Sequence, residues 1–350
     1  MSRRPLVEHS AGLLLPPSSS TSASSSATND GSSSSSSLSS SHFQSHRKDL
    51  GWYAENENIP TTTADVPMHY CDFDFFEFQK LTSKGPRKNS DIGTPEDYAR
   101  PLCKDIPTSK SNTNSINSDD SISCGSWYCT KGGWPSKIPR ATTEIFYVWS
   151  GFGCLTDLDG QRNYFSPGDT VILPKNWSGR WDIAENVHKV WFVHDHEDTT
   201  ATSSSSSVAG STTATATSTI IRAKIIHYNE LVSTTKKEEL IIEPNTKVIT
   251  KSIYNSSGGG EGPTHVMMST SGPSSFVISP NQHTNCFHIL EGSMMIILED
   301  NNNNGNGNGN GNNNKHKQIA VTVGDTIVLP IGWTGRFNVQ ETIKVLRVKV

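Results

Sequence analysis

Short runs of alternating apolar and polar residues, each closed by a turn signal, make up the readable part of this chain. Glu144-Ile145-Phe146-Tyr147-Val148-Trp149 stops at Ser150-Gly151, and Gly153-Cys154-Leu155-Thr156 stops at Asp157-Leu158-Asp159-Gly160. Asp and Gly tolerate the positive φ that a tight hairpin needs. Residues 126–130, 163–165, 170–174 and 189–193 behave alike. Period two predicts strands, and no window of 12 residues carries a strong helical period. Turns at such short intervals predict an all-β unit, a sandwich or a barrel. The aromatic, partly alternating run from Tyr70 to Phe78 reads as one more strand entering the sheet.

The pattern is written twice. Gly168-Asp169-Thr170-Val171-Ile172-Leu173-Pro174 and the following Trp177-Ser178-Gly179-Arg180-Trp181 return as Gly324-Asp325-Thr326-Ile327-Val328-Leu329-Pro330 and Trp333-Thr334-Gly335-Arg336-Phe337. Residues 285–292 answer residues 144–151 at an offset of 141, whereas the Gly-Asp-Thr element recurs at an offset of 156. The Asn/Gly tract 301–314 absorbs the difference, at the place where the first copy has its Asp-Gly turn. A hairpin tip tolerates such an insertion. Two all-β units from an internal duplication follow.

Low-complexity segments divide the chain. Only 33% of residues are hydrophobic and 18% charged, low for a chain that is folded throughout. Residues 1–66, dominated by serine, are expected to be disordered, because they hold too little apolar surface to offset the entropy of ordering. The first unit is then 67–198, with an inserted loop at about 105–123; the Ser/Thr-rich 199–219 is a linker; the second unit is 220–350, with 301–314 as its insertion.

A net charge of −4 without a basic stripe gives no electrostatic footprint for nucleic acid. No apolar run approaches a membrane span, so no membrane association is expected. The six cysteines, Cys71, Cys103, Cys124, Cys129, Cys154 and Cys286, form no CxxC pair. Reduced thiols and a cytoplasmic location are the expectation. Arg3, Arg4 and the serines also suit an organelle transit peptide, against which Glu8 and Asp30 speak.

These motifs resemble the cupin superfamily, in particular the branch of the ureidoglycine aminohydrolase cupin domain and the ethanolamine-utilisation protein Q. Glu144 to Gly151 fits the end of the first cupin motif, and Gly168 to Pro174, repeated as Gly324 to Pro330, fits the second. The resemblance implies a bicupin, two jelly-roll barrels in one chain. It also implies, for metal-dependent members, two histidines, a glutamate and a third histidine. Of these the first copy keeps only Glu144; the histidine positions fall near Ile138 and Arg140 and at Gly179. In the second copy the positions hold Asn285 and Gly335, with His283 nearby. One carboxylate does not hold a transition metal. No metal or other cofactor is therefore expected. His194 and His196 have HxH spacing, and read as exposed strand-end residues.

Glu144, Phe146 and Val148 share one face of their strand, which the motif turns inward, with Trp181 on the opposing wall. Burial would raise the Glu144 pKa unless Arg140, Arg180 or Lys189 compensates. Glu144 is thus the candidate acid/base, or else one member of a structural hydrogen-bond network. The candidate ligand contacts are Phe146, Trp177, Arg180, Trp181 and Lys189, and in the second unit His283, Asn285, Trp333, Arg336 and Lys344. The recurring Trp177/Trp333 and Arg180/Arg336 equally suit packing of the barrel end and pairing with Asp169/Asp325 or Glu185/Glu341. Lys189 and Lys344 read as equivalent after a one-residue gap. Two functions compete: a metal-free bicupin that binds a small polar molecule or is structural, and a hydrolase of a small ureide similar to the aminohydrolases. The two barrels are expected to pair by pseudo-symmetry, or two chains to form a homodimer.

Overall fold

In the computed structural model, which describes residues 66–108, 120–196, 220–232, 238–243, 246–256, 263–278, 281–298 and 317–350, the alternating runs are strands. The segments read as disordered, linker and Asn/Gly insertion lie outside the described residues. In chain order the first half forms β1 (His69–Cys71), β2 (Thr82–Pro86), β3 (Glu96–Pro107), β4 (Ser121–Cys129), β5 (Gly132–Ser136) and β6 (Thr143–Ser150). It continues through β7 (Gly153–Asp157), β8 (Arg162–Phe165), β9 (Thr170–Leu173), β10 (Gly179–Ile183) and β11 (Val187–Asp195). The second half opens with β12 (Lys224–Ile226), the short helix α1 (Tyr228–Val232), β13 (Glu238–Glu243), β14 (Thr246–Asn255) and β15 (His265–Ser271). Then follow β16 (Ser274–Ile278), β17 (Asn285–Glu291), β18 (Ser293–Leu298), β19 (Lys317–Thr322), β20 (Thr326–Leu329), β21 (Gly335–Val339) and β22 (Ile343–Lys349).

Each half folds as a jelly-roll barrel of one seven-stranded and one four-stranded sheet. The first has the orders β12-β9-β6-β11-β4-β3-β2 and β5-β10-β7-β8; the second has β1-β20-β17-β22-β15-β14-β13 and β16-β21-β18-β19. Strand for strand the orders match, except that the edge strands are exchanged. β1, from the start of the first unit, pairs with β20 of the second barrel, His69 opposite Val328. β12, from the start of the second unit, pairs with β9 of the first, Lys224 opposite Ile172. The unit boundaries read from the sequence therefore do not coincide with the barrels: each barrel is closed by three residues from the other half.

The repeated Gly-Asp-Thr motif makes this exchange work. Gly168 and Gly324 sit at φ 95° and 89°, a left-handed turn that favours glycine. Asp169 then closes its turn by accepting from the Ser166 backbone N–H at 2.8 Å, and Asp325 does the same with Thr322 at 3.0 Å. The carboxylates also hold the arriving strands. Asp169 lies 3.1 Å from Nδ1 of His227, just past β12. Asp325 accepts from the Phe73 N–H at 3.1 Å and from the Tyr70 hydroxyl at 3.0 Å. Beyond β1 the chain departs from the predicted strand: residues Phe73–Phe76 and Phe78–Lys80 are 3-10 turns, with Asp72 capping the first. Capping and the buried Phe76 override the aromatic alternation there. The predicted insertion at 105–123 is also shorter, since β3 runs to Pro107 and β4 starts at Ser121.

Central strands of the seven-stranded sheets are covered on both faces. Along β6, Phe146 and Val148 point into the barrel, while Ile145 points the other way and is equally buried. There it joins Cys124, Ile172 and Phe192, packed against Cys286, Leu290, Val328 and Leu346 of the second barrel in one continuous core. The barrels thus stand back to back. This explains four of the cysteines: Cys71, Cys103, Cys124 and Cys286 meet in that shared layer, and all six thiols are free and buried.

Several polar groups in this layer are hydrogen-bonded, two of them across it. Trp149 Nε1 donates to His288 Nε2 at 3.1 Å, and His288 Nδ1 is 3.0 Å from Thr326 Oγ1. Burial pulls the His288 pKa down to about 3, so the ring is neutral and can accept. His194 and His196 are not exposed, as their place beside a linker suggested, but buried here. His194 Nδ1 is 2.8 Å from Thr264 of the other barrel, and His196 Nε2 is 3.0 Å from Thr143. Burial also lowers the His194 pKa to about 3. No helix among the described residues is long and apolar enough to cross a membrane.

Candidate functional site

The inward face of β6 meets that of β11 in the first barrel, and their register sets the site. Glu144 lies opposite Val193, Phe146 opposite Trp191, and Val148 opposite Lys189, where a bulge between His188 and Lys189 shifts the pairing. Lys189 faces inward by alternation with Trp191 and Val193 and is 4% exposed. Its Nζ donates to Glu144 Oε1 at 2.8 Å, while Arg140 reaches Glu144 Oε2, also at 2.8 Å. The ammonium lies 3.8 Å from the Phe146 ring centre, 4.5 Å from Trp127 and 4.8 Å from Trp181. Three rings and one carboxylate enclose it, an arrangement that favours the charged form by cation–π attraction and ion pairing.

A cavity of about 320 Å³ opens beside this pair, walled by Trp127, Trp134, Trp181 and Trp191. Trp134 and Trp181 are near-parallel, 5.9 Å apart at an interplanar angle of 10°. Arg87 also faces the cavity, its guanidinium 4.1 Å from the Trp134 ring centre and salt-bridged to Asp97 at 2.9 Å. Arg87, Arg140 and Lys189 thus stand against Glu144 and Asp97, one positive charge in excess. Arg140 Nε is buried with no hydrogen-bond partner.

Burial by itself would raise the Glu144 pKa, but Lys189 and Arg140 outweigh it and hold the carboxyl below its ordinary value. Burial lowers the Lys189 pKa, and Glu144 opposes that. Arg180, the third compensating cation considered from the sequence, takes no part. A carboxylate with a depressed pKa adds stability that is complete above its unfolded value, near 4.3, and is lost as pH falls through its folded value. Glu144→Gln is accordingly expected to flatten the acid limb of the stability–pH curve below about pH 4. Urea melts at stepped pH check this, and an unchanged limb would place Glu144 in solvent.

The other sequence candidates are placed as follows. Phe146 lies beneath Lys189, and Trp181 lines the cavity. Trp177 does not reach it: fully buried, it donates from Nε1 to Asp157 Oδ1 at 2.7 Å. Its ring explains Gly179, where an added Cβ would come within 2.8 Å of Trp177 Cζ2 and 2.3 Å of Thr156 O. Trp333 crowds Gly335 in the same way, at 2.4 Å, and belongs to the second core. Both tryptophans pack the barrels rather than a ligand. Arg180 points away from the cavity to Asp91, at 2.7 and 2.8 Å, and Asp182, at 2.8 Å, not to Asp169 or Glu185. Arg336, on the corresponding face of β21, and His283, ahead of β17, are not part of either cavity wall.

Lys189 and Lys344 are not equivalents. Register pairs Val345 with Ile289 as Lys189 pairs with Val148, so Val345 corresponds to Lys189 and Lys344 to His188. Lys344 faces outward and pairs with Glu291 at 2.9 Å. The offset of 156 between the two Gly-Asp-Thr elements already carries Lys189 to Val345, and the one-residue gap is what displaced the match to Lys344. Asn285 does face inward, and its partner is Arg347, which the sequence reading missed: Nε and a terminal nitrogen donate to Asn285 Oδ1 at 2.8 and 2.6 Å. Alternation along β22, with Ile343, Val345 and Arg347 in one row, was the available signal.

A metal ion of the kind the cupin resemblance implies does not fit this residue set. In the first barrel Glu144 is committed to two cations, Arg140 stands near an implied histidine position, and Gly179 cannot carry a side chain. In the second, Asn285 and Gly335 offer no anionic ligand. Among the described residues no three His, Cys, Asp or Glu side chains come together in a way that could hold a metal.

Residues 117–191 match the EutQ-like cupin domain family. No curated protein matches the chain by sequence. Among solved structures the fold is similar to that of a protein of unknown function of the DUF861 family from Pseudomonas syringae pv. tomato, with a TM-score of 0.50 and 11% identity, over 82% of this chain and 100% of that one. Protein YlbA from E. coli, also of the DUF861 family, aligns with a TM-score of 0.48 and 12% identity over 87% of this chain and 96% of its own. At 11% identity the first of these likenesses speaks to fold alone. The family match places a cupin domain in the first barrel, and the second barrel repeats its strand order, so the fold is that of two cupin-like jelly rolls in one chain.

Proposed function

We propose that the chain is a metal-free binding bicupin whose first barrel takes a small planar molecule carrying one carboxylate. The observation that carries this reading is the Lys189 ammonium fixed between Glu144 and three aromatic rings, in a cavity with one unmatched positive charge. Indole faces offer stacking surface to a flat ligand. The excess charge and the unpartnered Arg140 Nε favour a single anionic group. Glu144, held ionised by two cations, is a poor proton donor near neutral pH and serves to orient Lys189 and Arg140.

Calorimetric titration with benzoate as the probe tests this. Binding is expected, and Trp127→Ala is expected to weaken it about tenfold through lost ring contact. Absence of binding, or indifference to Trp127→Ala, overturns the reading. The second reading, a hydrolase of small ureides, rests on the resemblance to the aminohydrolase branch, and the residue set supplies neither a metal site nor a poised base. Turnover of a ureide, or a stoichiometric metal ion lost in Glu144→Ala, would establish it at the expense of the first.

A further inference from the structure

The second barrel has its own cavity, smaller at about 80 Å³ and chemically different. Equivalent backbone positions line the two. Arg140 donates its N–H to Trp177 O and accepts from Asn176; Asn281 donates to Trp333 O and accepts from Gly332. Position 140 in the first barrel is therefore position 281 in the second, as 144 is 285. The first barrel sets a carboxylate, Glu144, among its cations. The second sets an amide, Asn285, beside the Arg347 guanidinium.

That exchange leaves a charge without a counter-ion. Among the described residues no carboxylate reaches Arg347; its partners are Asn285 Oδ1 and the Phe287 ring, 5.6 Å from its Cζ. Burial draws its pKa down to about 10. Holding a cation in apolar surroundings is costly unless an anion joins it. A second donor faces the same space: Asn281 Nδ2 is buried, lines the cavity and has no hydrogen-bond partner. Apart from Asn285 and the hydroxyls of Ser269 and Ser271, the rest of the wall is apolar, Phe276, Met294, Phe337 and Val339 included.

We infer that the second barrel binds a short-chain monocarboxylate, its carboxylate on Arg347 and Asn281 and its alkyl chain against Phe276, Met294 and Phe337. A guanidinium fork matches a carboxylate in shape and charge. A single cation favours a monoanion over a phosphate dianion, and the apolar wall favours a tail over an inorganic ion. At about 80 Å³ the cavity limits the tail to a few carbons.

Butyrate is the probe, added to the full chain and followed by scanning calorimetry and by titration calorimetry. A saturable rise in Tm is expected, because a ligand that binds only the folded state stabilises it. Butyramide and butylammonium, alike in shape but neutral or positive, are expected to give no rise. Arg347→Gln is expected to weaken butyrate by about tenfold or more, and Asn281→Ala by about three- to tenfold. The second variant guards the test against misfolding of the first, since the Asn281 backbone bonds remain. Trp127→Ala, in the other cavity, is expected to leave butyrate binding unchanged, so this site and the benzoate site fail separately. No rise with butyrate, an equal rise with butyramide, or loss of binding in Trp127→Ala in place of Asn281→Ala would overturn the assignment.

Discussion

Replacing Lys189 by methionine is expected to cost about 3–5 kcal/mol of unfolding free energy, the loss that follows when one partner of a buried ion pair is removed. The magnitude follows from where the two charges sit. Lys189 and Glu144 are both buried and 2.8 Å apart. Arg140 remains on Glu144 at 2.8 Å, but its side chain is 23% exposed and its charge correspondingly better solvated. Removing both buried charges, in Glu144→Gln/Lys189→Met, is expected to recover most of the loss, because an apolar replacement of a whole pair is often neutral. Urea unfolding of the two single variants and the double variant gives the cycle. A cost below about 1 kcal/mol for Lys189→Met would show a solvated pair of the surface kind and remove the basis for a preorganised first-barrel site.

The second large effect concerns the halves of the chain. Fragments 1–208 and 209–350, produced together, are expected to co-purify as one particle, and each produced alone to aggregate. Separation would strip β12 from the first barrel and β1 from the second, leaving the edges of β9 and β20 unpaired. It would also expose the shared layer of Ile145, Phe192, Cys286, Leu346 and their neighbours. Open edges and a large apolar face are both aggregation hazards. Size-exclusion chromatography of co-expressed and single fragments checks this, and a soluble, folded first fragment would refute it.

Much of the fold could be read from the residues, and the reason is the repetition. Gly168-Asp169-Thr170 and Gly324-Asp325-Thr326 mark the same turn in each barrel, and period two fixes which residues face inward from either side. Glu144, Phe146 and Trp181 were legible on that basis. Long-range features were not. Nothing local to Tyr70 says that its hydroxyl ends on Asp325, nor that residues 73–80 turn in 3-10 geometry after three residues of strand. The true counterpart of Lys189 escaped because of a one-residue gap in aligning the two copies, which leaves composition unchanged while reversing which face a side chain takes. That gap made Lys344 look like the partner of Lys189 and hid Arg347. The buried histidines illustrate a third limit. His194 and His196 lie beside a linker, and only the second barrel, folded against them, removes them from water.

The exchanged edge strands also set a schedule for biosynthesis. Tyr70 and its carboxylate partner Asp325 are 255 positions apart in the chain. At translation rates of roughly 5–20 residues per second, the β1 segment waits on the order of ten to fifty seconds before the strand it pairs with has been made. The first barrel likewise remains open along β9 until β12 emerges. That edge can be filled once residues 224–226 are made, whereas β1 stays unpaired until β20, at residues 326–329, has been made. Chaperone demand should therefore depend on how fast the last third of the message is read.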